Sequence, residues 1–146
     1  MTPTIRSATA EDEDAVVALW RACGLVVSYN DPATDFRFAR AGSASDILVG
    51  TVGSGRPDDR VVASVMVGHD GHRGWLWYVA VDPGSRGAGV GRAVVAAAEE
   101  WLRRRGVQKV HLLVRETNTG VVAFYEQQGF AVAPRVMMAK WLNGPP

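Results

Sequence analysis

The chain has 146 residues, 47% of them hydrophobic and 21% charged, which suits one hydrophobic core and excludes the charge-rich, apolar-poor composition of a disordered chain. A formal net charge of +1 gives no bulk field for gripping nucleic acid or anionic lipid, so any anion site has to be built locally. The single cysteine, Cys23, excludes an internal disulfide framework, and the opening Met1 to Arg6 lacks the apolar run of a signal peptide. No later stretch is apolar for long enough to span a bilayer, so the expectation is a cytoplasmic protein with one domain over 1–142 and a loose tail from Asn143 to Pro146.

In chain order, Ile5 to Ala8 is a short apolar and polar segment, after which Thr9 caps a helix and Asp12 reaches back to it. That helix runs to about Cys23, with Val16, Leu19, Trp20 and Cys23 at helical spacing and Glu11 to Asp14 at the positive end of its dipole. Cys23 closes this apolar face, which predicts packing rather than nucleophilic chemistry. Gly24 to Asn30 is a connector, and Asp31-Pro32 opens a second helix through about Arg40.

Asp46 to Val52 and Arg60 to Gly68 read as an antiparallel pair joined by the turn Gly53 to Asp59. The turn His69 to Gly74 leads into Trp75 to Val81, apolar on both faces and so predicted to be a central, covered strand with Trp75 and Trp77 packed in the core. It ends at Asp82 to Ser85. A long helix follows, carrying Val90, Val94, Ala97, Ala98, Trp101 and Leu102 on one stripe and stopping at Gly106. Lys109 to Val114 is a further strand, Asn118 to Gln128 an amphipathic helix ended by Gly129, and Val136 to Leu142 a last strand. Strand, crossover helix and strand between Trp75 and Val114 make one parallel pair in a mainly antiparallel sheet.

The loop Arg86-Gly87-Ala88-Gly89-Val90-Gly91-Arg92 lies where a buried strand feeds a helix, so its amides face whatever occupies the helix's positive end. Glycines permit positive φ and close approach of backbone to phosphate oxygens, and Arg86 and Arg92 add charge. Two other phosphate loops fit poorly. No Gly-Lys-Ser/Thr of a P-loop is present, and the dinucleotide fingerprint expects a third glycine where Arg92 stands.

These residues resemble the Gcn5-related N-acetyltransferase (GNAT) superfamily, whose signature places Gln/Arg-x-x-Gly-x-Gly/Ala after a Val-Ala-Val-like strand. Arg86, Gly89 and Gly91 match it, and the run Asn118, Ala123-Phe124-Tyr125-Glu126, Gly129-Phe130 resembles the superfamily's second cofactor motif. The loop looks most like that of bacterial RimI-like and YpeA-like acetyltransferases. The resemblance implies an α/β fold with a mixed, mainly antiparallel sheet of about six to seven strands, a central parallel pair splayed to admit acetyl-CoA, and about four flanking helices. It implies that Val79, Ala80 and Val81 pair with the pantetheine arm as an added strand would, that Arg86, Gly87, Ala88, Gly89, Val90, Gly91 and Arg92 hold the pyrophosphate, and that Asn118 bonds the pantetheine side.

Acetyl transfer to an amine needs an oxyanion donor, an acid for the departing thiolate and a base. The backbone amide near Val79 suits the first task. Tyr125 suits the second, because a phenol of pKa about 10 can return a proton to a thiolate whose reference value is about 8.5. RimI-like relatives carry a glutamate where this chain has Leu113, so the base is open among Glu116, His69, Asp70, His72, Tyr29 and Asp31. His69 and His72 lack a fixed third ligand for a metal. The implied activity is an N-acetyltransferase using acetyl-CoA and a primary amine, a protein N-terminus, a lysine or a small molecule, as monomer or homodimer, without nucleic acid, membrane or metal. The rivals are a non-catalytic acyl-CoA sensor and a nucleotide-binding regulatory domain.

Overall fold

The computed structural model describes residues 2–146, which fall into two compact units, one ending at Leu112 and the other Leu113–Pro146. The first unit contains β1 (Thr4–Ser7), α1 (Glu13–Ala22), α2 (Pro32–Ala41), β2 (Ser45–Val52), β3 (Arg60–His69), β4 (Gly74–Val81), α3 (Val90–Arg103) and β5 (Val110–Leu112). The second contains α4 (Gly120–Glu126). No helix among the described residues is long and apolar enough to cross a membrane.

Helix starts follow their local chemistry. The Thr9 amide donates to the Asp12 carboxylate at 2.8 Å, closing the predicted cap through a 3-10 turn at Ala10–Asp12. Asp31 caps α2, its Oδ1 accepting from the Ala33 amide at 3.1 Å with Pro32 at the first helical position. Gly106 adopts φ +78 just beyond α3, the left-handed stop expected of a glycine there.

The five strands lie in the order β1-β2-β3-β4-β5, antiparallel except for the parallel pair β4 and β5. The mixed α/β class and the parallel pair agree with expectation, and the strand count does not. Thr4–Ser7 forms a strand because Ile5 and Arg6 pair with Gly50 and Val49 on β2; only the partner makes so short a segment a strand. Val136 to Leu142 forms none. Val136, Met138 and Leu142 are exposed, and apolar content becomes a strand only where another strand supplies the ladder. The other boundaries tighten, the strand from Lys109 to Val114 being reduced to Val110–Leu112 and the helix from Asn118 to Gly120–Glu126.

The first unit is three-layered. Paired residues share a sheet face, so Ile47, Val49, Ser64, Met66 and Ala80 point to one side, where Val16, Leu19, Trp20 and Phe36 of α1 and α2 pack on Ile47, Val49 and Ala80 and Met66 is left partly buried. Trp20 is fully buried and its indole N–H donates to Ser64 Oγ at 2.9 Å. Leu48, Val65, Val67 and Leu76 point to the other side, the side packed by α3, which buries Val90, Val94, Val95, Ala98, Trp101 and Leu102. Val95 thus joins the stripe ahead of Ala97, which is only half-buried. Each valine or leucine side chain buried there contributes about 1.5–3 kcal/mol.

Candidate active site

β4 carries two irregularities that define one end of the first unit's sheet. Its pairing with β5 runs from Gly74 with Val110 to Leu76 with Leu112 and stops, so β4 continues to Val81 without that neighbour. Against β3, Ser64 pairs with Ala80 and Met66 with Trp77, leaving Tyr78 and Val79 opposite Val65 alone. This is a β-bulge on β4. Tyr78 takes up the irregularity with φ +51, a positive value in a residue that is not glycine, which marks backbone strain of about 1–3 kcal/mol held by its surroundings.

Those surroundings are specific. The Tyr78 ring lies on the Trp20 indole, centroids 3.9 Å apart and planes 10° from parallel, and its hydroxyl donates to Asp35 Oδ2 at 2.7 Å. Burial, and then the Asp35 carboxylate, push the Tyr78 phenol well above the ordinary tyrosine value. It stays protonated at neutral pH and acts as a donor.

Beyond Val81 the chain turns through a 3-10 segment, Pro83–Ser85, into the glycine loop. Gly87 has φ +86 and Gly89 φ +78 as the N-cap of α3, and nothing lies within 4 Å of where a Cβ would sit on either. The loop is shaped by left-handed glycine and faces open space. Val90 and Gly91 are buried and anchor the helix, while Arg86, Ala88 and Arg92 are exposed. The helix start leaves its first amides without intrahelical partners, so the loop fits a diphosphate in dipole, curvature and clearance.

Arg86 folds back on the end of β4. Its Nε donates to the Val81 carbonyl at 3.3 Å and its Nη2 to Cys23 Sγ at 3.6 Å. The Cys23 thiol donates to the same carbonyl at 3.2 Å. Cys23 therefore packs, as predicted, but at the foot of this loop rather than merely along a helix face. Helical spacing alone gives no hint of that.

Trp75 and Trp77 depart from expectation. They are stacked at 5.9 Å with planes 17° apart, and Trp77 is 45% exposed rather than in the core. They share the sheet face of Met66 and Gly68, but on the stretch beyond the helix-covered core. There an open cleft of about 470 Å3 is left, into which Asp35, Phe38, Met66, Asp70, Trp77 and Tyr78 protrude.

The sequence-derived base candidates come out unevenly. Asp70 is consumed by its turn: its carboxylate accepts from the Arg73 and His72 amides at 2.7 and 2.9 Å, which lowers it to about 2. A base so weak takes no proton from an amine. His69 lines the cleft, yet its Nδ1 accepts from the Gly71 amide at 3.1 Å. Asp31 is the α2 cap, and His72, Tyr29 and Glu116 are exposed. Among the described residues no group of three His, Cys, Asp or Glu side chains is arranged to hold a metal ion. The residue that sequence reasoning missed is Asp35. Its signal was there as helical spacing, since Asp35, Phe38 and Ala39 all line the cleft from α2.

In the second unit, Asn118 is exposed just before α4. Tyr125 is buried, its ring edge-on to Phe124 and Phe130 at 5.0 and 5.6 Å. Burial raises its phenol above the ordinary value.

The first unit thus joins a bulged strand that outruns its parallel neighbour to a glycine loop at a helix start, in a mixed α/β sheet. The profile of the Acetyltransferase (GNAT) family matches residues 8–130. An acetyltransferase of Pectobacterium atrosepticum is 36% identical over 138 residues, 94% of each chain. One of Yersinia pseudotuberculosis is 34% identical over 138 residues with the same coverage. Among solved structures, AAC(6')-Iy bound to the bisubstrate analogue CoA-S-monomethyl-acetylneamine has a TM-score of 0.80 at 15% identity, over 97% of this chain and 99% of that one. Glucosamine-6-phosphate N-acetyltransferase from Arabidopsis thaliana has a TM-score of 0.71 at 24% identity, over 97% and 99%. These two likenesses show the fold. The chain belongs to the GNAT acetyltransferase family and is an acyltransferase.

Proposed function

We propose that the chain is an N-acetyltransferase that moves the acetyl group of acetyl-CoA to a primary amine by direct attack in a ternary complex. The observation that carries this reading is the end of β4: pairing with β5 stops at Leu76, Tyr78 and Val79 bulge, and the strand runs into positive-φ glycines at the start of α3. When bound, acetyl-CoA supplies an acetyl thioester: an amine nitrogen forms the C–N bond and sheds a proton, the C–S bond breaks, and the departing thiolate is protonated.

In this reading the backbone of Val79, Ala80 and Val81 receives the pantetheine arm as a sheet edge receives a strand. Amides from Arg86 through Arg92 hold the diphosphate, with Arg92 and a re-extended Arg86 adding charge. The Val79 amide, at the bulge of β4 and outside its ladder pairing, donates to the oxygen that becomes negative during attack. Asn118 bonds the pantetheine side and Tyr125 protonates the thiolate, a task that suits a phenol kept neutral by burial. Residues 1–142 are then one cytoplasmic N-acetyltransferase domain, monomeric or homodimeric, followed by the tail 143–146.

The test is calorimetry of the purified chain with acetyl-CoA, ATP and NAD, followed by thiol release over a panel of primary amines. Selective acetyl-CoA binding with amine-dependent thiol release is expected. Preference for ATP or NAD overturns the donor assignment, and acetyl-CoA binding without release by any amine makes the chain a sensor instead.

A further inference from the structure

The open cleft beside β4 bears on the chemistry of the acceptor, an inference that rests on the acetyl-transfer reading. Its floor is Trp75, Trp77 and Tyr78, contiguous with Val79 at the bulge, so whatever fills it lies next to the backbone assigned to the thioester. Its size, about 470 Å3, is that of a small-molecule pocket.

Its walls are of two kinds. Phe38, Met66, Trp75 and Trp77 are apolar or aromatic, and Phe38 and Trp77 are 83% and 45% exposed. Exposed large aromatics along a concavity are the usual sign of a binding surface. The charged side chains facing the cleft are the carboxylates of Asp35, from α2, and Asp70, from the turn before β4; no lysine or arginine lines it among the described residues. Asp70 stays ionised because turn amides hold its carboxylate. An anionic acceptor meets two carboxylates without a counter-ion, whereas a cation meets both of them and the indole faces. Asp35 is held in place by the Tyr78 hydroxyl on Oδ2, and a carboxylate accepts through two oxygens.

We propose that this cleft is the acceptor pocket and that the acceptor is a small primary amine, protonated in solution, carried on an apolar or aromatic body. The ammonium group is drawn to Asp35 and the body lies against Trp75 and Trp77. The ammonium gives its proton to water before the nitrogen attacks, so the carboxylate acts in recognition and selects against alcohols and acids of the same shape.

The experiment titrates the full chain by calorimetry, with and without saturating coenzyme A, with butylamine, phenethylamine and tryptamine, and with 2-phenylethanol and 3-phenylpropionate as the neutral and anionic counterparts of phenethylamine. An aryl amine is expected to saturate at or below about 1 mM, with the alcohol and the acid weaker by about tenfold or more. Asp35→Asn and Trp77→Ala should each weaken that amine by about tenfold. Trp77 is exposed enough for its variant to fold, so it decides the matter if Asp35→Asn does not. No saturating amine, equal binding of amine and alcohol, or unchanged amine affinity in the folded variants overturns the proposal. Acetyl-CoA affinity in the same preparations separates the two readings: intact cofactor binding without amine selectivity sinks the pocket alone, and the reverse result sinks the donor assignment alone.

Discussion

The Tyr78 hydroxyl donates to Asp35 Oδ2 at 2.7 Å, tying the strained bulge of β4 to the first turn of α2. With Trp20 stacked on the same ring, this bond holds a backbone conformation that β4 would not keep unaided. Tyr78→Phe retains the stack and deletes the bond, so stability should fall by about 1–2 kcal/mol. Urea denaturation reads this as a lower midpoint with an unchanged slope. An unaltered midpoint would show that the bulge does not depend on Asp35.

Gly89 sits at φ +78 with open space around its absent Cβ. Gly89→Ala should therefore cost about 1 kcal/mol through backbone strain alone, since no neighbour has to move. Gly89→Asp adds a negative charge where a diphosphate is assigned. Acetyl-CoA affinity should drop by at least about tenfold beyond the alanine variant. Equal affinities in the two variants, measured by calorimetry, count against the loop assignment.

Tyr125 is buried and its phenol is raised above the ordinary value of about 10. As an acid it works while protonated, so activity should hold through neutral and mildly alkaline pH and fall only above that value. Tyr125→Phe should lower kcat by about 100-fold or more while acetyl-CoA affinity changes little. Wild-type turnover in the variant makes Tyr125 a packing residue between Phe124 and Phe130.

The Arg6 guanidinium grips Asp12 at 2.7 and 3.0 Å, and this, ahead of the Thr9 amide, holds the Asp12 carboxyl below its usual range. A lowered folded-state value means that the stabilisation is fully present above the unfolded value of about 3.9 and fades as pH falls through the folded one. Asp12→Asn should destabilise by about 2 kcal/mol at pH 7 and flatten the acid limb below about pH 4. Parallel acid-unfolding curves for the two proteins would refute the pair's contribution.

Trp20 is fully buried, and its indole N–H has Ser64 Oγ as partner at 2.9 Å. Ser64→Ala strands that donor in the core and should cost about 1–3 kcal/mol, while Ser64→Thr restores the acceptor with added bulk. Thermal melts of the pair check both halves of the statement.

Much of this was legible along the chain. The caps at Thr9 and Asp31, the stop at Gly106 and the strand-loop-helix run from Trp75 through Arg92 are decided by residues within a few positions of one another. Hence the helices, the parallel pair and the glycine loop could be read from spacing, and the loop's resemblance to acetyltransferases with them. Long-range pairing was not legible. Thr4–Ser7 becomes a strand through β2, Val136 to Leu142 stays irregular for want of a partner, and Trp77 lies exposed because helix cover ends short of it. Spacing is a local property that the covalent chain carries everywhere. The bulge at Tyr78, the thiol of Cys23 under Arg86 and the carboxylate of Asp35 beside the cleft depend on residues some 43 to 63 positions apart being brought together, and only the packed tertiary structure decides which distant groups meet.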